Sequence, residues 1–127
     1  MTEFIIPVKM TSDWSLNKIY SGKHWQARKK DAETIHDHVK WILLAQKAKM
    51  YTSPVEISIE YDCRLDIDNC GYMAKLIIDG MKGIIIKDDT KKYVASLHQS
   101  FWDGGGIRVR VRRFDNDGRC KVDQDHD

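Results

Sequence analysis

The chain has 127 residues, 42% of them hydrophobic and 31% charged, and a formal net charge of +2. That length suits one compact domain and is too short for two. No apolar run approaches the roughly 20 residues that span a bilayer, and no basic-plus-apolar leader opens the chain, so a cytoplasmic protein with no membrane partner is expected.

The cysteines point the same way. Cys63, Cys70 and Cys120 show no C-x-x-C spacing, which argues against a disulfide framework and against a zinc site. Reduced thiols are expected, with Cys63 packing on a strand. The charge is unevenly spread: Lys18 to Lys49 and Arg108 to Arg113 are basic, and Asp115, Asp117, Asp123, Asp125 and Asp127 make the end acidic. Local basicity of this kind fits a polyanionic partner, and equally a solvated surface.

Taken in chain order, residues 3–10 read as a strand whose Pro7 favours a sheet edge. Residues 13–23 read as loop. A helix is expected from near Trp25 towards Lys49, with Ile35, Val39, Leu43 and Leu44 at helical spacing and Lys29, Lys40 and Lys47 opposite. Residues 55–63 alternate: Val55, Ile57, Ile59, Tyr61 and Cys63 on one side, Glu56, Ser58, Glu60 and Asp62 on the other. That pattern predicts a half-buried strand. If the extended conformation continues, Asp66 and Asp68 share the solvent side with Glu60.

Asn69 is a candidate N-cap for a short helix with an apolar stripe of Met73, Ile77, Ile78 and Met81, ended by Gly83. Ile84-Ile85-Ile86 predicts a short buried strand leading into Asp88-Asp89. Tyr93, Ala95, Leu97 and Phe101 share parity on a further strand, and Gly104-Gly105-Gly106 predicts a hairpin turn. The return strand puts Ile107, Val109 and Val111 inward and Arg108, Arg110 and Arg112 outward. After Phe114 the composition turns polar and acidic, so residues 115–127 are expected to be a disordered tail. The sum is a single α+β domain over residues 1–114, a mixed or antiparallel sheet with two helices packed on it.

Two acidic pairs carry the candidate chemistry. Aspartates two apart in an extended segment point the same way, so Asp66 and Asp68 can share a hard cation such as Mg²⁺; on spacing alone D-x-D and D-D are weak motifs, and ordinary surface-loop acids are the other reading. Asp89 would join them if the strand ends meet. Three carboxylates with open water positions suit phosphodiester hydrolysis, in which the metal polarises the phosphate and lowers the pKa of a bound water. Lys75, on the helix that follows, is placed to stabilise negative charge or orient the water, or to be an exposed helix residue.

The outward arginines lie about 7 Å apart, similar to phosphates along one DNA strand; a charged edge strand that discourages aggregation is the other reading. Trp14, Trp25, Trp41 and Trp102 are expected in the core or at a dimer interface. An EF-hand is excluded because Cys70 and Ile77 stand at its fifth and twelfth loop positions. His24, His36, His38, His98 and His126 give no metal spacing, and no Walker A loop, H-E-x-x-H or nucleophile elbow is present.

An ordered set of short motifs adds to this. Ser15-Leu16-Asn17-Lys18 precedes Trp25 and Arg28; Asp66-Ile67-Asp68-Asn69 follows; then come Lys75-Leu76-Ile77-Ile78-Asp79-Gly80, Gly83, and Lys87-Asp88-Asp89 with Val94. In order and spacing this set, over roughly residues 3–113, resembles the RusA family of Holliday-junction resolvases, small endonucleases of phages and prophages. The resemblance implies a homodimer that binds branched DNA and resolves four-way junctions by paired phosphodiester hydrolysis, with Mg²⁺ as cofactor and Mn²⁺ able to substitute. It implies Asp66, Asp68 and Asp89 as catalytic and metal-binding carboxylates. The family's helix lysine falls on Tyr72 here, so Lys75 takes its role only with residues 70–72 read as an insertion, and Lys87 is the other lysine available. Asn17, Lys18, Arg28, Lys87, Arg108 and Arg110 are the expected DNA contacts. A non-cleaving DNA-binding homologue and a nuclease for flaps or other branched DNA are the alternatives.

Overall fold

The computed structural model describes residues 1–114. The acidic stretch 115–127, expected to be a disordered tail, lies outside the described residues.

Four strands form one mixed sheet: β1 (Thr2–Ile6), β2 (Val55–Tyr61), β3 (Val94–Phe101) and β4 (Ile107–Arg113), in the order β1-β4-β2-β3. The helices are α1 (Leu16–Tyr20), α2 (Trp25–Ala45) and α3 (Gly71–Met81). The expected α+β domain is present, with one helix more than expected.

That extra helix lies in the stretch read as loop. Ser15 starts it, its side-chain oxygen accepting the Lys18 backbone N–H at 3.1 Å, an N-cap interaction. Gly22, at φ +98°, follows its end. α2 runs shorter than expected, closing at Ala45 with Lys47 in the left-handed region at φ +54°.

The alternation along β2 works as predicted. Val55, Ile57, Ile59 and Tyr61 are fully buried and face the helices. Ile35, Val39 and Leu43 of α2 and Met73, Ile77 and Met81 of α3 meet them with no exposed surface. Burying each such side chain contributes roughly 1.5–3 kcal/mol. Leu44 shares the helical spacing but stays 50% exposed, because it falls outside the buried stripe. At the α2–α3 crossing Gly80 lets the helices approach: a Cβ there would stand 3.2 Å from Val39 Cβ.

Two expected elements differ. Ile84–Ile86 is not a strand of the sheet: the backbone N–H groups of Ile84, Ile85 and Ile86 all turn to the Met81 carbonyl, at 3.1, 3.1 and 3.4 Å. The chain therefore wraps the end of α3, and Ile85 and Ile86 are buried there as a turn. Nor do β3 and β4 form a hairpin. β3 pairs parallel with β2, β4 pairs antiparallel with the other side of β2, and β2 lies between them.

Residues 102–106 consequently arch over the end of β2. The Trp102 N–H donates to the Tyr61 carbonyl at 3.0 Å and the Gly105 N–H to the Asp62 carboxylate at 2.9 Å. Gly106 is required by space as well as by its φ of +70°, since a Cβ would sit 2.6 Å from the Ile6 carbonyl oxygen. β1 is an edge strand, as expected, but it covers Thr2–Ile6 rather than 3–10 and ends before Pro7; β4 is interior, so the arginines do not guard an edge.

Candidate functional site

The acidic turn begins where β2 gives out. The strand ends at Tyr61, and the Asp62 carboxylate is taken by the Gly105 N–H. Asp66 is extended (φ −65°, ψ 153°) and leads into a tight turn, Ile67–Cys70, which holds Asp68. The Asn69 N–H closes that turn on the Asp66 carbonyl at 3.0 Å. Strand parity therefore does not extend to Asp66 and Asp68, because the extended ladder stops before either. Both are exposed, and among the described residues neither carboxylate has a cation within 4.0 Å.

Asn69 does not cap the helix that follows it. Its side-chain oxygen accepts the Asn17 backbone N–H at 3.0 Å, so it caps α1 instead. This single bond joins the Ser15–Lys18 segment to the Asp66–Asn69 turn, two stretches 52 residues apart. Asn17 and Lys18 are thereby set beside the acidic turn. Lys18 keeps only a loose, exposed pairing with Asp13 at 3.9 Å.

Asp89 stands in a different arrangement. Its carboxylate meets Lys82 Nζ at 3.2 Å; Lys82 also meets Asp79 at 3.1 Å, and Asp79 meets Lys75 at 3.2 Å. The Lys82 hydrogen bond holds the Asp89 carboxyl below its usual range, and the Lys82 ammonium is raised in turn, chiefly by Asp79. Lys75, Asp79, Asp89, Leu97 and Gln99 line a cavity of about 300 Å³ between α3 and β3. Asp66 and Asp68 are not among its lining residues.

The structure therefore brings Lys75 and Asp89 to one cavity and leaves Asp66 and Asp68 on the neighbouring turn. Among the described residues no group of three or more His, Cys, Asp or Glu is placed to hold a metal ion. The expected convergence of three carboxylates does not fit this arrangement, for two physical reasons. The stretch before Asp89 is a turn around the end of α3 rather than a strand beside β2. A lysine already occupies the Asp89 carboxylate.

The arginine row is on one face, as predicted, and its charge is spent within the sheet. Arg108 grips both oxygens of Glu60 at 2.7 and 2.8 Å, Arg110 reaches the same carboxylate at 2.9 Å, and Arg112 faces Glu56 at 3.7 Å. Arg108 also stacks on the Trp102 ring, 4.6 Å from its centroid. The Arg108 hydrogen bonds hold the Glu60 carboxyl below the usual carboxylate range, against the opposing effect of burial. Glu56 takes a further partner in His98 at 3.1 Å. Arg28 and Lys87 are exposed.

A third cluster was not legible beforehand. Lys23 pairs with Asp31, and the Tyr72 hydroxyl donates to the same carboxylate at 2.9 Å. The Lys23 ammonium lies 5.5 Å from the ring centroids of both Trp14 and Tyr72 and donates to the Asp13 carbonyl at 2.7 Å. Burial, reinforced by Asp31, pushes the Tyr72 hydroxyl up. The network ties residues 13–23 to α2 and α3, and so steadies the α1 side of the acidic turn. Of the tryptophans, Trp14 and Trp102 are part-buried, while Trp25 and Trp41 are 63% and 64% exposed and are not core residues. No described helix is long and apolar enough to cross a membrane.

No protein-family model, no curated protein and no solved structure matches this chain.

Proposed function

We propose that this chain is a divalent-metal-dependent endodeoxyribonuclease that acts on branched DNA, with four-way junctions as its substrate, in the manner of the RusA family it resembles. The observation that carries the reading is the bond between the Asn17 N–H and Asn69. It packs two segments of the ordered motif set against each other, beside Asp66 and Asp68, which are exposed and have no cationic partner among the described residues. Exposed like charges that no described residue neutralises favour a bound cation.

In this reading Asp66 and Asp68 are the core of a Mg²⁺ site, and Asp89 joins them only on leaving Lys82. Asn17, Lys18 and Arg28 are placed for backbone contacts near the turn. Lys75 lines the cavity beside Asp89, and Lys87 is exposed two residues before Asp89. Arg108 and Arg110 reach DNA only in competition with Glu60, so they rank as the weakest contacts. A homodimer would present two matching sites to the symmetric strands of a junction. A flap or fork nuclease uses the same chemistry, and comparing flap, fork and junction substrates separates the two.

The test is cleavage of a mobile four-way junction with and without Mg²⁺, by the wild type and by Asp68→Asn. Metal-dependent nicking that Asp68→Asn abolishes is the expected result; full cleavage by the variant contradicts the assignment. One observation favours a second reading, a DNA-binding homologue that does not cut: Asp89 is held by Lys82 rather than grouped with the other two aspartates. That reading expects junction binding with no nicking under any divalent ion.

A further inference from the structure

Cys63 and Cys70 flank the acidic turn, with Arg64 to Asn69 between them. Their sulfurs are 3.9 Å apart, both free thiols. A disulfide needs about 2.05 Å between sulfurs, so the pair is under 2 Å short of bonding distance. Cys70 is fully buried at the start of α3, and its thiol also points to the Asp66 carbonyl at 3.7 Å. Cys63 is half-buried, on a stretch that belongs to no strand or helix.

Cys63 is also the one that a reagent can reach. It lines an open groove of about 530 Å³ together with Lys9, Met10, Ser12 and Arg64. Lys9 and Arg64 give that groove cationic walls; its one acid, Asp62, already accepts the Gly105 N–H. An anionic, peptide-sized disulfide suits both the size and the charge.

We propose that Cys63 and Cys70 are a reversible redox pair, oxidised by exchange with a low-molecular-weight anionic disulfide, that locks the turn carrying Asp66 and Asp68. The Cys63 thiolate attacks one sulfur of the small disulfide, expels one small thiolate and forms a mixed disulfide. Burial pushes the Cys70 thiol up to about 12, so Cys70 gives up its proton only as it attacks the Cys63 sulfur and expels the second small thiolate. One small disulfide becomes two thiols, which take up the two protons that the cysteines lose. Oxidation removes the Cys70 donor from the Asp66 carbonyl and draws the start of the turn toward α3. If the chain is the nuclease proposed above, the oxidised form changes its metal dependence; that consequence rests on the proposed function, whereas the redox pair does not.

The test uses the full chain, glutathione disulfide as the probe and a mass readout independent of activity. Trypsin cuts after Arg64, so the two cysteines fall on separate peptides, 50–64 and 65–75. Under non-reducing conditions these should be recovered as one linked species, with the intact chain lighter by two hydrogens, about 2 Da. Dithiothreitol should reverse the change, Cys120→Ser should retain it, and Cys63→Ser should abolish it. A persistent glutathione adduct of about 305 Da on Cys63 with no link overturns the proposal. So does an unmodified Cys63, or a link made only to Cys120. Loss of nuclease activity is not scored, so failure here leaves the functional reading standing, and the reverse.

Discussion

Arg108, Arg110 and Arg112 on the open sheet face, and Asp66 and Asp68 on the turn after β2, are both rows of like charge set two residues apart. The sheet row is closed on itself: Glu60 and Glu56 on the adjacent strand take all three guanidinium groups. The turn has no such neighbour among the described residues, and Asp66 and Asp68 are exposed. Charge matched within the fold fixes strand register and holds the scaffold. Charge left unmatched needs something from outside. The basic residues that look most like a DNA contact in the sequence are therefore the less available ones, and the acids are the more available.

Breaking each region should give opposite results. Asp66→Asn should lower metal-dependent junction cleavage on the order of a hundredfold or more, about 3 kcal/mol of transition-state stabilisation. The same variant should leave stability within about 0.5 kcal/mol, as expected of an exposed carboxylate with no cationic partner among the described residues. Glu60→Gln should do the reverse. It strips two arginines of their carboxylate on a half-buried face, and a loss of about 2–3 kcal/mol is expected in urea denaturation. Equal stability losses in the two variants would erase the distinction.

Acid should sharpen the same contrast. Glu60 has a folded-state pKa below its ordinary value of 4.5. Its contribution is therefore complete above about 4.5 and is lost as pH falls through the depressed folded value. Unfolding monitored from pH 6 to about 3 should show this decline in the wild type and a shallower one in Glu60→Gln.

The smallest effect is expected at the third aspartate. Lys82→Met removes the cation that holds Asp89, and Mn²⁺ affinity by calorimetry should rise several-fold if Asp89 belongs to the ion site. Stability should hardly move, because the pair is exposed and screened by solvent. Unchanged affinity would leave Asp89 outside the site.

The helix-facing side of β2 and the stripes of α2 and α3 were legible in the sequence because burial imposes a period of two or of 3.6. The alternation of the arginines was legible for the same reason. What they face was not, since the Glu60 pairing depends on β4 lying beside β2, a long-range choice that local pattern does not encode. The triple glycine reads as a hairpin turn, yet it serves an arch over a third strand. Ile84–Ile86 has the composition of a strand, but the Met81 carbonyl captures its backbone first. In the site, exposure of Asp66 and Asp68 could be anticipated from the polar side of β2, although the tight turn Ile67–Cys70 that replaces the extended geometry at Asp68 could not. Asn69 looks like a cap and is one, for a helix 52 residues upstream. Lys82 lies seven residues from Asp89 around a tight turn, and no helical spacing announces that contact.

The central claim is that the unmatched acids of the 66–70 turn are where a divalent ion binds. Paramagnetic broadening of backbone amide signals during a Mn²⁺ titration tests it directly, since the ion marks the residues it sits beside. The earliest and strongest broadening is expected at residues 66–70, and it should disappear in the Asp66→Asn, Asp68→Asn double variant. Broadening centred elsewhere, with residues 66–70 sharp or the double variant unchanged, would contradict it.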